Sequence, residues 1–304
     1  MAIVTRVTQG LLVQRTLINL NQQLRRISIL QERLATGRRV NRPSDDPIDA
    51  RRAMNLRTII AKNEQFQANI SDSGPHLQES ATTILNMVDI VLRSLELTTQ
   101  GANEVVGQSQ LDSIALEIDE LLEAAVSAAN HRSNGRSIFA GTQTLGDAFD
   151  VTRVAGQITA VTYAGNDQSI EINISEGVRT DINVTGDDVF QSNVDLFAML
   201  IGIRDDMLAG DQANLRNVRL AELETGREQL LGAVAKVGAV QNRLDRVLNN
   251  LEDFNTDFQE LLSEKIDADF AETVLGLSIA ETALNAALNA AARVIQPSLL
   301  DFIR

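Results

Sequence analysis

The sequence has no cysteine and no tryptophan, one tyrosine, and only 3% aromatic residues in a chain of 304. Without cysteine the chain can form neither a disulfide nor a thiolate metal site. Because aromatic side chains are scarce, its cores must be built from Leu, Ile, Val and Ala, which is typical of slender helical proteins. The length is sufficient for two or three domains.

Motifs that carry catalysis are also missing. His76 and His131 are far apart and have no Glu or Cys at ligand spacing, so we expect no metal and no cofactor. There is no phosphate-binding loop, dinucleotide-binding fingerprint or nucleophile elbow. The paired acids Asp45–Asp46, Asp187–Asp188 and Asp205–Asp206 are typical of helix caps and turns. The sequence therefore predicts a protein that is not an enzyme.

Signals for a membrane or for classical secretion are absent as well. No apolar run approaches the roughly 20 residues that span a bilayer, and the first residues lack the apolar core of a signal peptide.

The net charge of −14 is unevenly distributed along the chain. Residues 1–62 carry twelve basic and four acidic residues, a local charge of +8 that leaves −22 for the remainder. Opposite parts of the chain can therefore attract each other. Because no aromatic residues are interleaved with the arginines and the whole chain is acidic, we expect neither nucleic acid nor a membrane as a partner.

The stretch from Glu272 to Gln296 has the pattern of a coiled-coil helix. Apolar residues recur at alternating spacings of three and four with Glu281 as the polar interruption, and a neighbouring row of small residues widens the apolar face. Neighbouring helices must cover this face, whether they come from the same chain or from others; an alanine-rich core helix has the same period. The predicted contact residues are Val274, Leu277, Ala280, Ala283, Leu284, Ala287, Leu288, Ala291 and Ile295.

Residues 9–38 are the predicted first helix, with a matching length and period. Its predicted contact residues are Val13, Leu17, Leu20, Leu24 and Ile27, and we expect it to pair with the last helix. The pattern leaves open whether Glu281 pairs with an arginine such as Arg15 or Arg25, specifies register or faces a channel.

A short polar break follows the first helix. It comprises Asn41, Arg42, Pro43, Ser44, Asp45, Asp46 and Pro47. Pro43 favours extended backbone before it, and Asp46 followed by Pro47 predicts a helix cap and first turn.

The middle of the chain predicts more long helices and one insertion. Helical periodicity extends from residue 48 to the region of residue 133, with Gly74–Pro75 interrupting or kinking it, and returns from Val194 to Ser263. Between these regions, Ile158–Tyr163 and Ile170–Ile174 have strand composition, with turn signals at Gly165–Asn166 and Glu176–Gly177. We expect an antiparallel β insertion at the surface that adds few contacts to the helical core.

Three segments of the chain resemble the flagellin superfamily and, within it, the hook-associated protein 3 family. They are Leu34–Pro47, Asn134–Thr144 and Gln296–Ile303. The resemblance implies a mainly α fold in which long antiparallel helices form a terminal coiled coil and a helical rod, with a small antiparallel β domain inserted. The implied domains are a channel-lining pair of termini (1–42 and 263–304), a rod (43–140 and 192–262) and an outward β domain (141–191).

The resemblance also implies a structural role at the junction of flagellar hook and filament. The implied partners are further copies in a ring, the proximal hook-associated junction protein, flagellin, and a cytoplasmic export chaperone on the C-terminal helix. Export would occur without a cleaved signal peptide, to an extracellular site in the bacterial flagellum. Two alternatives stay open at this point, a short flagellin that polymerises into the filament itself and a cytosolic helical adaptor.

Overall fold

The computed structural model describes the backbone of residues 9–295, together with the side chains of residue 11 and residues 13–292. Within this range the chain forms two compact units. The first combines residues 9–61 with 254–295, and the second consists of residues 62–253. The side chain of Ile295 and the segment Gln296–Ile303 lie outside the described residues.

The chain is mainly helical, as the sequence predicts. Its main helices are α1 (Gln9–Thr36), α2 (Pro47–Gly101), α3 (Gln108–Ala129), α4 (Gly186–Phe190), α5 (Leu196–Ala209), α6 (Gln212–Asn214), α7 (Leu220–Ile266) and α8 (Phe270–Ile295). A π-helical turn, Leu215–Arg219, precedes α7. The two longest helices, α2 and α7, each contribute residues to both units.

Helices α1 and α8 pack against each other in the first unit. The Ala268 N–H donates to Gly37 O at 2.9 Å, so the end of α1 lies beside the start of α8. Farther along, a Cβ placed on Gly276 would contact the Leu30 side chain at 3.7 Å. The two helices are therefore antiparallel, with Leu30 of α1 beside Gly276 of α8.

The second unit has one hydrophobic core, built from α2, α3, α5, α7 and the β segment. On α3 the fully buried residues follow the helical period, including Leu111, Ile118, Leu122 and Ala129. Helix α2 is continuous through Pro75, so of the two expected effects of Gly74–Pro75, an interruption or a kink, the interruption does not occur. Ile70 and Leu77, which are 3% and 2% exposed, precede and follow the proline and belong to the hydrophobic core.

Three antiparallel hairpins form the β segment. Their strands are β1 (Arg132–Ser133) with β2 (Arg136–Ser137), β3 (Phe149–Val154) with β4 (Gln157–Tyr163), and β5 (Glu171–Ser175) with β6 (Val178–Asp181). Glu176–Gly177 is a hairpin turn as predicted, but Gly165–Asn166 does not connect paired strands. The β3–β4 turn is Ala155–Gly156, both with positive φ, as tight hairpins require.

The expectation that the β segment contributes few core contacts is wrong. Phe149 of β3 packs against Phe197 of α5 and Phe190 of α4, with ring centroids 4.9 and 5.7 Å apart. Phe139 contacts Phe190 edge to face at 5.0 Å. All four rings are at most 1% exposed, so the few aromatic residues are concentrated where hairpins meet helices.

Candidate assembly interface

The contact between α1 and α8 includes three of the five α1 residues named as contact residues from the sequence. Val13 and Leu20 are half-buried and Ile27 is buried. Leu17 and Leu24 are 50% and 52% exposed and lie outside the seam. The half-buried Thr16, Gln23 and Leu30 complete the spacing of three and four with Val13, Leu20 and Ile27.

Helix α8 meets α1 mainly through its small residues. Ala280 and Ala291 are buried, at 2% and 5% exposure. The half-buried residues of the predicted set are Leu277, Ala283, Leu284 and Ala287. Val274 and Leu288 stay 43% and 49% exposed, and Glu281 is exposed too. Small side chains allow close approach of the two helices, which leaves several of the larger ones outside.

Both helices therefore present large apolar side chains away from their mutual contact. We call this set the outer apolar face. Its members are between 43% and 62% exposed: Leu17, Ile18, Leu24 and Ile29 on α1, and Val274, Leu275, Ile279 and Leu288 on α8. A helix that is apolar around most of its circumference is normally buried on more than one side. Among the described residues, α1 and α8 cover each other on one side and leave this face exposed.

The composition of α8 corrects one expectation from the sequence. The 23 residues Phe270–Ala292 are long and apolar enough to cross a membrane by length and composition, although only 11% of the most apolar stretch is buried. The segment contains no uninterrupted apolar run of that length, because Glu272, Glu281 and the asparagines interrupt it. The helix therefore exposes a large apolar surface that some neighbour has to cover. This composition does not identify a membrane as that neighbour.

The polar break before α2 is a compact loop built around two carboxylates. Asp45 Oδ2 accepts the backbone N–H groups of Asn41 and Arg42 at 3.1 and 2.8 Å. Asp46 Oδ1 accepts those of Ile48 and Asp49 at 3.1 and 3.0 Å and so caps α2, as predicted. The aspartates thus satisfy backbone donors that the helix and the turn would otherwise leave unpaired.

Arg39 joins this loop to the end of α7. The sequence did not predict this role. Its guanidinium donates to Asp46 Oδ2 at 3.3 Å, to Asp49, and to the carbonyl of Lys265 at 2.7 Å. Its backbone N–H donates to Ile266 O at 2.7 Å. The only sequence signal for this role is the placement of an arginine between the first helix and two aspartates.

A small apolar cluster lies under the loop. Val40, Ala53 and Ile266 are buried together, with Ala50 and Leu262 packed against them. Asp269 then caps α8, since its Oδ1 accepts the Glu272 N–H at 3.1 Å. The loop, the α2 start and the α7–α8 connection therefore form one hydrogen-bonded corner that holds α1 beside α8.

Electrostatics strengthen this corner. The backbone N–H of Asp49, and to a smaller extent the Arg39 guanidinium, lower the pKa of the Asp46 carboxyl below its ordinary 3.8, against the opposing effect of desolvation. The hydrogen bond from Arg39 to Asp49 raises the pKa of the guanidinium in turn. Both groups are therefore charged at neutral pH.

A further feature is the arrangement of potential metal ligands among the described residues. Among residues 9–295 there is no group of three or more His, Asp or Glu side chains that could hold a metal ion. His76 is half-buried, and desolvation lowers its pKa from 6.5, with a smaller opposing effect from Glu79.

Comparisons with known proteins find similarity to flagellar components. Residues 9–144 match the family described as the bacterial flagellin N-terminal helical region. Flagellar hook-associated protein 3 of Escherichia coli (strain K12) is 25% identical over 284 residues, covering 85% of this chain and 87% of the relative. The flagellar filament 30.7 kDa core protein of Treponema maltophilum is 24% identical, with 80% of each chain covered.

The fold is also similar to that of a solved structure. Flagellar hook associated protein-3 from Legionella pneumophila superposes with a TM-score of 0.62 and 15% identity, covering 69% of this chain and 98% of that one. At this identity the similarity concerns the fold alone.

Proposed function

Because this chain belongs to the flagellin superfamily, with hook-associated protein 3 relatives aligned along most of its length, we propose that it is a structural subunit of the flagellar hook–filament junction. Its location is the bacterial flagellum. Structural flagellar components are not enzymes, which agrees with the missing catalytic motifs. The observation that carries the proposal is the outer apolar face of α1 and α8.

Identical neighbouring subunits could bury the outer apolar face. Burying its eight large side chains, each about half exposed, would stabilise an assembly by several kcal/mol at about 25 cal/mol per Å² of apolar surface. Identical copies arranged around an axis supply the same neighbour to every subunit. We therefore assign the termini (1–42 and 263–304) to a channel-lining inner layer, with the rod (43–140 and 192–262) and the β segment (141–191) outside it.

The proposed partners follow from a position at a boundary. Each subunit would contact further copies in a ring, the proximal hook-associated junction protein on one side and flagellin on the other. Before export, a cytoplasmic chaperone would cover the C-terminal helix, because an isolated helix with this much apolar surface favours aggregation. Export without a cleaved signal peptide, to an extracellular position, completes the proposal.

A filament flagellin is the second candidate, favoured by the similarity to the Treponema maltophilum filament core protein. The two roles use the same helices and differ in what the assembled ends accept. A junction subunit fits two unlike neighbours, whereas a filament subunit fits its own kind indefinitely.

Substitution of the outer apolar face tests the structural role. Leu275→Asp with Ile279→Asp places two charges on side chains that are 62% and 56% exposed. We expect incorporation onto isolated hook fragments, measured by sedimentation, to be lost, because these carboxylates would have to be buried between subunits. The melting temperature of the free protein should not change.

The control is Leu145→Asp, which adds a charge at a side chain that is 83% exposed in the other unit. This variant should incorporate normally. Normal incorporation of the Leu275→Asp/Ile279→Asp variant, or a fall in its melting temperature as large as that of the core variant Ile118→Asp, would show that this face is not a subunit contact.

A further inference from the structure

One surface of the first unit is a groove with an apolar floor and a basic rim. The groove encloses about 310 Å³ beside the loop that precedes α2. Val40, Ala53 and Ile266 are buried in its floor, and Met54, 61% exposed, lies at its edge. Arg38, Arg42 and Arg57 surround it. We call it the basic groove.

Two arginines of the basic groove are available for an external partner. Arg42 already pairs with Glu32 at 3.2 Å. Arg38 and Arg57 are exposed, and neither forms an ion pair with any side chain that the structure describes. A groove with uncompensated positive charge around an apolar floor fits a helix that combines carboxylates with large apolar side chains.

The same unit carries such a helix surface on α7. Phe254 and Leu261 are 53% and 44% exposed and lie seven residues apart, on one side of the helix. Phe254 stacks on Phe258 with ring centroids 6.4 Å apart, which fixes the apolar stripe. Asp257 and Glu260 are exposed along its flank and have no ion-pair partner among the described side chains. We call this surface the acidic ridge.

The acidic ridge does not face the basic groove of its own chain. Leu262 and Ile266 lie on another side of α7, where they pack with Val40 and Ala53 at the groove. Phe254 and Leu261 are exposed on the side that this packing leaves free. The two surfaces have opposite charge and separate positions on one molecule.

We propose that the acidic ridge of one copy of this chain docks in the basic groove of a second copy. The contact is heterologous, because two different surfaces meet, and a heterologous contact repeated with the right rotation closes into a ring. The inference rests on the proposed junction role and deepens it, since it names the surfaces by which neighbouring subunits meet. Charge complementarity sets the register and excludes a contact between two grooves or two ridges.

Crosslinking tests the contact directly, because the chain has no native cysteine. Met54→Cys with Leu261→Cys places one thiol at the groove and one on the ridge of every subunit. In protein assembled on hook fragments, a short thiol crosslinker should give a ladder of covalent dimers, trimers and larger species. Met54→Cys with Leu145→Cys is the matched control and should give no ladder.

Charge exchange supplies a second, independent readout. Arg38→Glu/Arg57→Glu and Asp257→Arg/Glu260→Arg should each reduce incorporation by more than about tenfold, because like charges would then face each other. Mixing the two variants should restore incorporation, since the altered groove of one matches the altered ridge of the other. If each pair of substitutions instead impairs the folding of its own chain, mixing the variants should not restore incorporation.

The wild-type chain, assembled in the same experiment, separates two kinds of failure. If it incorporates and the Met54→Cys/Leu261→Cys protein incorporates without a ladder, the proposed contact is wrong and the junction role stands. If the wild-type chain fails to incorporate on hooks, the junction role itself is wrong, and the contact that rests on it falls as well.

Discussion

Tyr163 shows how a single residue connects the β segment to its surroundings. Its hydroxyl lies 2.9 Å from Asn166 O and 3.0 Å from Phe139 O, and its ring packs on Phe149 at 5.3 Å. Burial raises the pKa of the phenol to about 12, although a hydrogen bond with the Gly186 backbone opposes the shift. The neutral phenol is therefore the form that the fold stabilises.

The ionisation of Tyr163 can be followed without interference, because it is the only tyrosine and there is no tryptophan. Ultraviolet absorbance of the folded protein should titrate near 12, and that of the urea-unfolded protein near 10. Since the pKa is raised in the folded state, the associated stability is complete below pH 10 and is lost as the pH rises towards 12. Titration of the folded protein near 10 would contradict this environment.

Asp46 gives the opposite sign of pH dependence. Its lowered pKa means that its contribution to stability is present above about pH 4 and is lost as the pH falls through the folded-state pKa. Asp46→Asn keeps a side chain that caps helices well but removes the charge. Thermal melts between pH 6 and pH 2 should fall less steeply for Asp46→Asn than for the wild type; equal slopes would show that Asp46 does not contribute through its charge.

At the scale of helices and strands, the sequence predicted the existence of most elements but not their exact contacts. The period of three and four identified α1 and α8 correctly. It could not decide between Leu17 and Thr16 as the residue facing α8, because hydrophobicity favours leucine at every apolar row. The structure places Thr16 in the seam and leaves Leu17 exposed, so the leucine row that looks like an internal contact is free for other chains.

The strand pairing and turns of the hairpins could not be predicted from the sequence for a different reason. Strand β3 includes Asp150 and Arg153, so its composition is weaker than that of β4, and its turn uses Ala155 at positive φ, where Asn or Gly is more usual. Gly165–Asn166 has turn composition, but the Asn166 side chain instead accepts the Thr142 N–H at 2.9 Å. Tertiary contacts decided what the local residues left ambiguous.

Phe149 tests the contribution of the β segment to the core. Because its ring is 1% exposed and contacts three other aromatic rings, Phe149→Ala should reduce the free energy of unfolding by about 3–5 kcal/mol in urea denaturation. Val154→Ala, on the same strand at 61% exposure, should change it by less than about 0.5 kcal/mol. If the two substitutions change the free energy of unfolding equally, the β segment makes few core contacts after all.

At the scale of the whole molecule, the two units of the described chain differ in the size of their buried apolar cores. The second unit has an extensive buried core that includes the four phenylalanines, although side chains such as Leu145 stay exposed. The buried cluster of the first unit is small, and α1, α7 and α8 expose large apolar residues there. We therefore expect assembly to bury the apolar surface that the first unit exposes. The family resemblance predicted that role from three short segments, and exposure of the outer apolar face supplies a physical reason for it.

The most direct test of the junction role is the length of what the purified protein builds on isolated hooks, measured by electron microscopy. We expect a short cap that stops growing when excess protein is present, because each subunit fits a boundary between unlike neighbours. Long regular filaments growing from the hooks would contradict the junction role and identify the chain as a filament flagellin.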